Sequence, residues 1–263
     1  MKKYLVVGNP IEHSLSPKLH NYWFKKNNID AFYEKKEINE NDIKDVINEV
    51  KKDKIEGINI TVPFKKSVIP FLDKLTPLAE EAQSVNTIYK ENNKIIGHNT
   101  DIAGFELALK SINYDVKNKK VFILGAGGVV SSIIIALKKM QVSKIILSNR
   151  TKKKAENFKK IYSDLEILDW GKVPDFNMAI NATSLGLKAN DEIKLNYEEI
   201  GINKLFYDVI YNPRETLFLS KAKKYGNQIE NGKMMFIYQA HQAFALWNKV
   251  LPNIDNETIK LLD

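Results

Sequence analysis

Cysteine is absent from this chain, so neither a disulfide nor a thiolate metal site can form. That composition fits a reducing compartment, and a cytoplasmic location is the expectation. Histidine is scarce as well: four scattered residues, none paired at ligand spacing, argue against a zinc site, and no metal is expected. Long apolar runs are missing. Met1-Lys2-Lys3 is followed by only four apolar residues before Gly8, too few for a secretory leader. The longest uncharged stretch, Val121 to Leu137, carries three glycines and two serines, so no membrane span is expected. There is also no basic block interleaved with aromatics. The net charge of +8 comes from lysines spread along most predicted helices and mixed with acids and asparagines, so nucleic acid is not an expected partner. An anionic substrate and cofactor account for the sign equally well. With 263 residues, 44% of them hydrophobic, the chain is long enough for two domains or one large one.

What the chain does contain is a glycine cluster between two apolar runs. Val121-Phe122-Ile123-Leu124 reads as a buried parallel strand, Gly125-Ala126-Gly127-Gly128 as a tight turn, and Val129 to Met140 as the helix that follows. This is the opening of a dinucleotide-binding βαβ unit. Glycines let the backbone approach a pyrophosphate, and the helix end offers free N–H groups and a positive dipole. Val130 stands at the sixth position of the fingerprint, where glycine or alanine is usual. The next strand, Lys144 to Ser148, ends in Asn149-Arg150-Thr151-Lys152-Lys153-Lys154. An NAD site places an acid about 20 residues past the glycines, where it meets the ribose hydroxyl. Here the first acid is Glu156. A guanidinium, a hydroxyl and an ammonium suit a 2′-phosphate instead, so NADP is the expected cofactor. The bland alternative, a lysine-rich solvated helix start, sets cations against the helix macrodipole.

The first hundred residues read as a separate α/β unit. Tyr4 to Val7 forms a first strand, and Ser16-Pro17 looks like an N-cap with proline at the first helical position. Phe32 to Lys36 can pair as a strand, Ile43, Val46, Ile47 and Val50 recur at helical spacing, and Gly57 to Val62 reads as the next strand. Two short strands around Glu91-Asn92-Asn93 suggest a hairpin. A linker helix begins near Asp101, capped by Asp101 or Thr100. Beyond the glycine turn, strands near 144–148, 177–181 and 205–209 alternate with helices, as a doubly wound sheet requires. Gly232 to Trp247 reads as a glycine turn followed by a nearly uncharged helix.

Polar residues cluster at the expected strand ends. Asn59, Thr61 and Pro63 share one face of a strand with Lys65 just past it; taken singly, a lysine is most often a solvated surface group. Asn181-Ala182-Thr183-Ser184 and Asp208-Val209-Ile210-Tyr211-Asn212-Pro213 each end a strand, with a polar loop and a strand-stopping turn as the plain alternatives.

The order and spacing of these segments resemble the shikimate dehydrogenase family over nearly the whole chain. The resemblance rests on Ser14-Leu15-Ser16-Pro17, Asn59 through Lys65, Asn86-Thr87, Asn99-Thr100-Asp101, Gly125 through Gly128, Asn149-Arg150-Thr151, Asn181 through Ser184, Tyr211-Asn212-Pro213 and Gln239-Ala240. It implies a substrate domain, 1–101 completed by helices in 236–263, and a Rossmann-like NADP domain, 102–235, across a cleft. It implies a monomer or homodimer acting on a small molecule. Ser14, Ser16, Asn59, Thr61, Asn86, Asp101 and Gln239 would bind substrate hydroxyls and carboxylate, with Tyr211 near the substrate. Lys65 and Asp101 would be the catalytic pair. Gly125, Ala126, Gly127, Gly128, Val129, Asn149, Arg150, Thr151, Lys154, Thr183 and Gly232 would face the cofactor. Two departures stand out: Val129-Val130-Ser131 after the glycines, and Gln239-Ala240-His241-Gln242 where the family commonly reads Gln-Ala-Ala-His.

The activity this implies is NADP-dependent reduction of 3-dehydroshikimate to shikimate, a step of chorismate and aromatic amino acid biosynthesis. Its rivals are a quinate/shikimate dehydrogenase using NAD, which calls for an acid after the second strand, and a non-catalytic NADP-binding sensor, which has no need of Lys65 and Asp101. A short-chain dehydrogenase requires Tyr-x-x-x-Lys after the glycine turn; the only such spacing, Tyr22 with Lys26, precedes it.

Overall fold

The computed structural model describes residues 1–263, which divide into two compact units, Met1–Phe105 with Ile237–Asp263, and Glu106–Phe236. In chain order the first unit contains β1 (Lys2–Gly8), α1 (Ser16–Lys26), β2 (Ala31–Glu37), α2 (Ile43–Lys51), β3 (Gly57–Ile60), β4 (Lys74–Leu75), α3 (Pro77–Ala82), β5 (Thr87–Glu91), β6 (Lys94–His98) and the start of α4 (Asp101–Ser111). Its sheet has the order β2-β1-β3-β5-β6-β4. Parallel pairing of β1 with β2 and β3 gives way to antiparallel β3–β5 and β5–β6. The β5–β6 hairpin turns on Asn92 and Asn93, both at positive φ (49° and 60°), the conformation a two-residue primed turn requires. Strand β3 is buried along its whole length, and it ends at Ile60, two residues before the cis Val62-Pro63 bond.

The second unit adds β7 (Lys120–Leu124), α5 (Val130–Lys139), β8 (Lys144–Ser148), α6 (Lys152–Ile161), β9 (Glu166–Leu168), β10 (Met178–Asn181), α7 (Tyr197–Ile200), β11 (Leu205–Asp208), α8 (Leu217–Lys224), β12 (Gln228–Glu230) and the start of α9 (Lys233–Asn248). All its strands are parallel, in the order β12-β11-β10-β7-β8-β9. That is the doubly wound dinucleotide-binding order, and the chain reverses direction between β7 and β10. Ligands of such sheets bind where the carboxyl ends of these strands diverge, here at Gly125 and Asn181. The short helix α10 (Asn256–Lys260) closes the chain in the first unit.

The expected serine cap of α1 does not form. The helix includes Ser16, its N-cap position is Leu15, and no side chain caps it. The Ser14 hydroxyl instead accepts the Ser16 N–H at 3.4 Å. Helix α4 begins at Asp101, directly after Thr100, and the side chain that bonds its first turn is that of Asn99, whose Oδ1 accepts the Ile102 N–H at 3.3 Å.

One face of the first sheet is covered by an aliphatic core that includes Ile43, Val46, Ile47 and Val50 of α2. The other core is aromatic: Tyr4, Trp23, Phe24, Tyr33, Phe244 and Trp247 surround His20, which is 0% exposed. His20 lies flat on Tyr33, centroids 4.3 Å apart and planes within 5°. The C-terminal half of α9 closes this core, with Trp247 Nε1 donating to the Ile88 carbonyl (3.1 Å) and Tyr4 donating to Asn248 Oδ1 (3.1 Å).

Neither nitrogen of His20 has a hydrogen-bond partner, and burial lowers its pKa from 6.5 to about 3. Between those values the unfolded chain binds a proton that the folded ring does not, so stability falls as pH drops through that window. The maximum slope is about 1.4 kcal/mol per pH unit. Denaturant unfolding from pH 7 to 4 should therefore show a shallower pH dependence in His20→Phe than in the unsubstituted protein. His98 and His241, also lowered by burial, contribute equally to both. Parallel curves would mean that His20 is protonated in the fold.

Candidate active site

In the first unit the chain leaves β3 through Thr61-Val62-Pro63 and turns back at once, Phe64 N–H bonding the Thr61 carbonyl at 3.0 Å. Phe64 is 4% exposed and anchors the turn in the aliphatic core. Its neighbour Lys65 is tied by its own carbonyl to Val85 N–H (2.8 Å), so the lysine stem starts from a fixed backbone. The Lys65 ammonium reaches Asp101 Oδ2 at 2.6 Å, and the two side chains are only 12% and 8% exposed. The ordinary expectation for a lysine, a solvated surface position, does not hold here.

The other carboxylate oxygen, Asp101 Oδ1, accepts Asn86 Nδ2 at 2.9 Å. Asn86 also donates to Thr100 Oγ1 (2.9 Å), and its Oδ1 accepts the Thr100 N–H (2.8 Å) and the Thr87 hydroxyl (3.0 Å). Asn59 Nδ2 donates to the Asn86 carbonyl (3.0 Å) and to Thr87 Oγ1 (3.1 Å), while Asn59 Oδ1 accepts the Tyr33 hydroxyl at 2.7 Å. Lys65, Asp101, Asn86 and Asn59 thus form one connected network. Ser16 is buried at the start of α1. Ser14 and Thr61 are half-buried, with Ser14 bonded to the Ser16 backbone and the Thr61 N–H bonded to the Val7 carbonyl at 2.9 Å. Gln239 is a half-buried residue of α9 in the same unit. Sequence reasoning gave no role to Tyr33 or Thr87, and gave Thr100 only that of a helix cap. The two threonines lay inside quoted motifs, but Tyr33 had no signal beyond being an aromatic in a strand.

In the second unit Gly125 ends β7 at φ 118°, and a Cβ there would stand 2.6 Å from the Ala182 carbonyl oxygen. Its N–H bonds the Ser148 carbonyl at 2.8 Å, holding the turn to the end of β8. Ala126 is half-buried, Gly127 and Gly128 are exposed, and Val129 is the uncapped N-cap position of α5. A Cβ on Gly127 would meet only the Ala182 oxygen, at 3.9 Å. The fold itself does not require glycine at 127, and the absence of a side chain leaves room for a ligand to approach the backbone. Val130, the departure from the fingerprint, is 0% exposed, so its side chain lies in the core.

At the end of β8, Asn149 donates to the Thr151 carbonyl at 2.9 Å, which shapes the turn. Arg150, Thr151 and Lys154 are exposed, and Thr151 is the N-cap position of α6 with no side-chain cap bond. Lys152 is paired with Asp169 at 2.7 Å. Thr183 donates to Asn181 Oδ1 through its hydroxyl (2.7 Å) and its N–H (3.0 Å). Asn181 Nδ2 in turn bonds both oxygens of Asp208 at 3.1 Å. Asp208 is fully buried, accepts the Thr216 hydroxyl (2.7 Å) and the Ile210 N–H (2.9 Å), and has its pKa raised to about 6 by burial. One carboxylate therefore holds both the Thr183 loop and the loop carrying Tyr211. Tyr211 is half-buried with its ring 4.6 Å from Phe236. Gly232 is pressed on the same loop, where a Cβ would lie 2.1 Å from the Val209 oxygen. Gathered at the carboxyl end of this sheet are an open glycine turn, an uncapped helix start and exposed cations, the donor set that a dinucleotide with a 2′-phosphate needs.

Residues 6–88 match the shikimate dehydrogenase substrate binding domain family, and residues 106–185 match the shikimate / quinate 5-dehydrogenase family. A shikimate dehydrogenase (NADP(+)) of Pelagibacter ubique strain HTCC1062 is 63% identical over 262 residues, covering 100% of this chain and 99% of the relative. The crystal structure of shikimate dehydrogenase from Aquifex aeolicus superposes with a TM-score of 0.90 at 36% identity, over 100% of this chain and 97% of that one. The Thermus thermophilus shikimate 5-dehydrogenase in complex with NADP(H) and shikimate gives a TM-score of 0.90 at 29% identity, over 100% and 98% of the two chains. The full-length match, joined to a buried lysine–aspartate pair and a doubly wound dinucleotide sheet, places this chain in the shikimate dehydrogenase family.

Proposed function

We propose that this protein catalyses the reversible NADP-dependent reduction of 3-dehydroshikimate to shikimate, with Met1–Phe105 and Ile237–Asp263 as its substrate-binding unit and Glu106–Phe236 as its cofactor unit. The observation that carries the reading is the Lys65–Asp101 pair, held at 2.6 Å and nearly out of water inside an amide network. Bound NADPH supplies the hydride that goes to the ketone carbon. As the oxygen gains charge it needs a proton and a nearby cation, and the Lys65 ammonium provides both. The amine left behind recovers a proton from solvent, so reduction consumes one proton overall. In the reverse direction the same nitrogen takes the hydroxyl proton. Asp101 keeps the ammonium in place and accepts from the substrate hydroxyl beside the ketone. No metal enters this scheme.

Asn59 and Asn86 stand differently from Ser14 and Thr61 in this proposal. Both amide hydrogens of each asparagine are already engaged inside the protein, so toward a ligand each offers only acceptor capacity. The hydroxyls of Ser14 and Thr61 are the better donors to a carboxylate. Tyr211 would stand near the substrate, and Gly232 and Thr183 would face the cofactor. Gly125 through Val129 would hold the pyrophosphate, and Asn149, Arg150, Thr151 and Lys154 the adenosine 2′-phosphate. No carboxylate stands among those four residues, which favours NADP over NAD. A cytoplasmic enzyme is part of the same proposal.

Two outcomes test it. Lys65→Met, which keeps the aliphatic stem, should lower kcat by about 10²- to 10⁴-fold with secondary structure retained. Asp101→Asn should behave similarly, and the double variant should lose less than the product of the two, because the pair acts as a unit. A folded Lys65→Met enzyme with more than half its kcat removes Lys65 from the proton transfer. For the cofactor, Arg150→Ala should cut kcat/KM for NADP by roughly 10- to 100-fold, the loss of charge-assisted bonds to a phosphate, and leave any NAD reaction little changed. Equal losses with both cofactors would assign Arg150 to the fold or the adenine.

A further inference from the structure

The network around Asp101 has a single direction, and backbone groups set it. The carbonyl of Asn86 can only accept, so the side-chain atom of Asn59 that meets it at 3.0 Å must be the amide nitrogen. Asn59 Oδ1 is therefore the atom facing Tyr33, and the phenol donates to it. Likewise the N–H of Thr100 can only donate, so the atom of Asn86 that meets it at 2.8 Å must be Oδ1, and the amide nitrogen of Asn86 faces Asp101. Thr87 accepts from Asn59 and passes its own hydrogen to Asn86 Oδ1. Each bond from Tyr33 onward consequently donates toward Asp101, through Asn59, Thr87 and Asn86, while Lys65 donates from the opposite side.

We infer that Tyr33 is a positioning residue for this site: its phenol locks the amide of Asn59, and through Thr87 and Asn86 it fixes the carboxylate that holds Lys65. The inference rests on the proposed role of Lys65 and Asp101 and deepens it. Tyr33 touches neither residue of that pair in any bond described above, so its effect is transmitted. Its own position is rigid. The ring lies flat against His20 at 4.3 Å, is 2% exposed, and stands on a strand whose Tyr33 N–H and carbonyl are both held by the Asn21 side chain (2.8 and 2.9 Å). Burial raises its pKa well above 10, which keeps the phenol a donor.

Without the phenol, Asn59 Oδ1 is buried with no donor, and the amide cannot turn over because its oxygen would then meet the Asn86 carbonyl. The amide tilts, and the Thr87 and Asn86 bonds loosen with it. The defect should appear in turnover with little change in cofactor affinity.

The test compares the unsubstituted enzyme with Tyr33→Phe, Thr87→Val and the double variant in the reduction of 3-dehydroshikimate by NADPH. Each single variant should lower kcat about 5- to 50-fold, with KM for NADPH within about twofold. The double variant should be no worse than the poorer single, because both break one chain. A Tyr33→Phe enzyme with unchanged kcat overturns the inference, as does a double variant whose loss is the product of the singles. If Tyr33→Phe does not fold, Thr87→Val decides: a loss of kcat at constant NADPH KM supports transmission, and unchanged kcat overturns it. Lys65→Met measured alongside separates the two levels. Retained turnover there defeats the proposed function, whereas its loss with a fully active Tyr33→Phe defeats only the role of Tyr33.

Discussion

Holding an ammonium against a carboxylate with both nearly excluded from water costs free energy unless the remaining lone pairs and protons find partners. In this protein the carboxylate of the Lys65–Asp101 pair meets that condition because Asn86 donates to its second oxygen. Much of the first unit follows from it. Strand β5 must bring Asn86 beside β3, Lys65 must be held by its backbone to Val85, and Asn99 must bond the first turn of α4 so that Thr100 and Asp101 are free for the network. The antiparallel insertion in an otherwise parallel sheet serves this arrangement. It places residues on both sides of the β3 end, which parallel crossovers alone reach less directly.

The second unit solves a different problem, presenting backbone N–H groups and cations to an anion without letting them collapse on one another. Glycine is enforced by the fold at 125 and 232, where a Cβ would strike a carbonyl, and is left open at 127. Asp208 works behind these loops. Its burial is offset by bonds from Asn181, Thr216 and the Ile210 N–H, so two polar loops hang from one carboxylate. Lys152 is neutralised by Asp169, while Arg150 and Lys154 remain exposed.

Much of this was legible in the residues. The glycine turn, β8 at Lys144–Ser148 and the Asn92-Asn93 hairpin each carried a local signal, in apolar runs, turn chemistry or positive-φ asparagines. The two- and three-residue strands β4, β9 and β12 left no period to detect. The serine at 16 read as a cap because capping statistics are local, yet in the fold Ser16 is the first residue of α1 and its N–H is bonded to Ser14 Oγ. Tyr33 itself was invisible for the same reason. Its importance comes from Asn59 and His20, which are distant in sequence and meet it only in the folded unit. The directed network, too, depends on which atoms of two asparagine side chains face backbone groups, and no spacing encodes that.

The central claim is that a lysine–aspartate site of this geometry, served by a cation-lined cofactor turn, acts on shikimate with NADP. It is tested most directly by kcat/KM of the purified protein for shikimate and for quinate, each with NADP and with NAD. The account predicts that shikimate with NADP exceeds every other combination by at least about tenfold, the contribution of one charge-assisted contact. A preference for NAD, or turnover of quinate equal to that of shikimate, would contradict it.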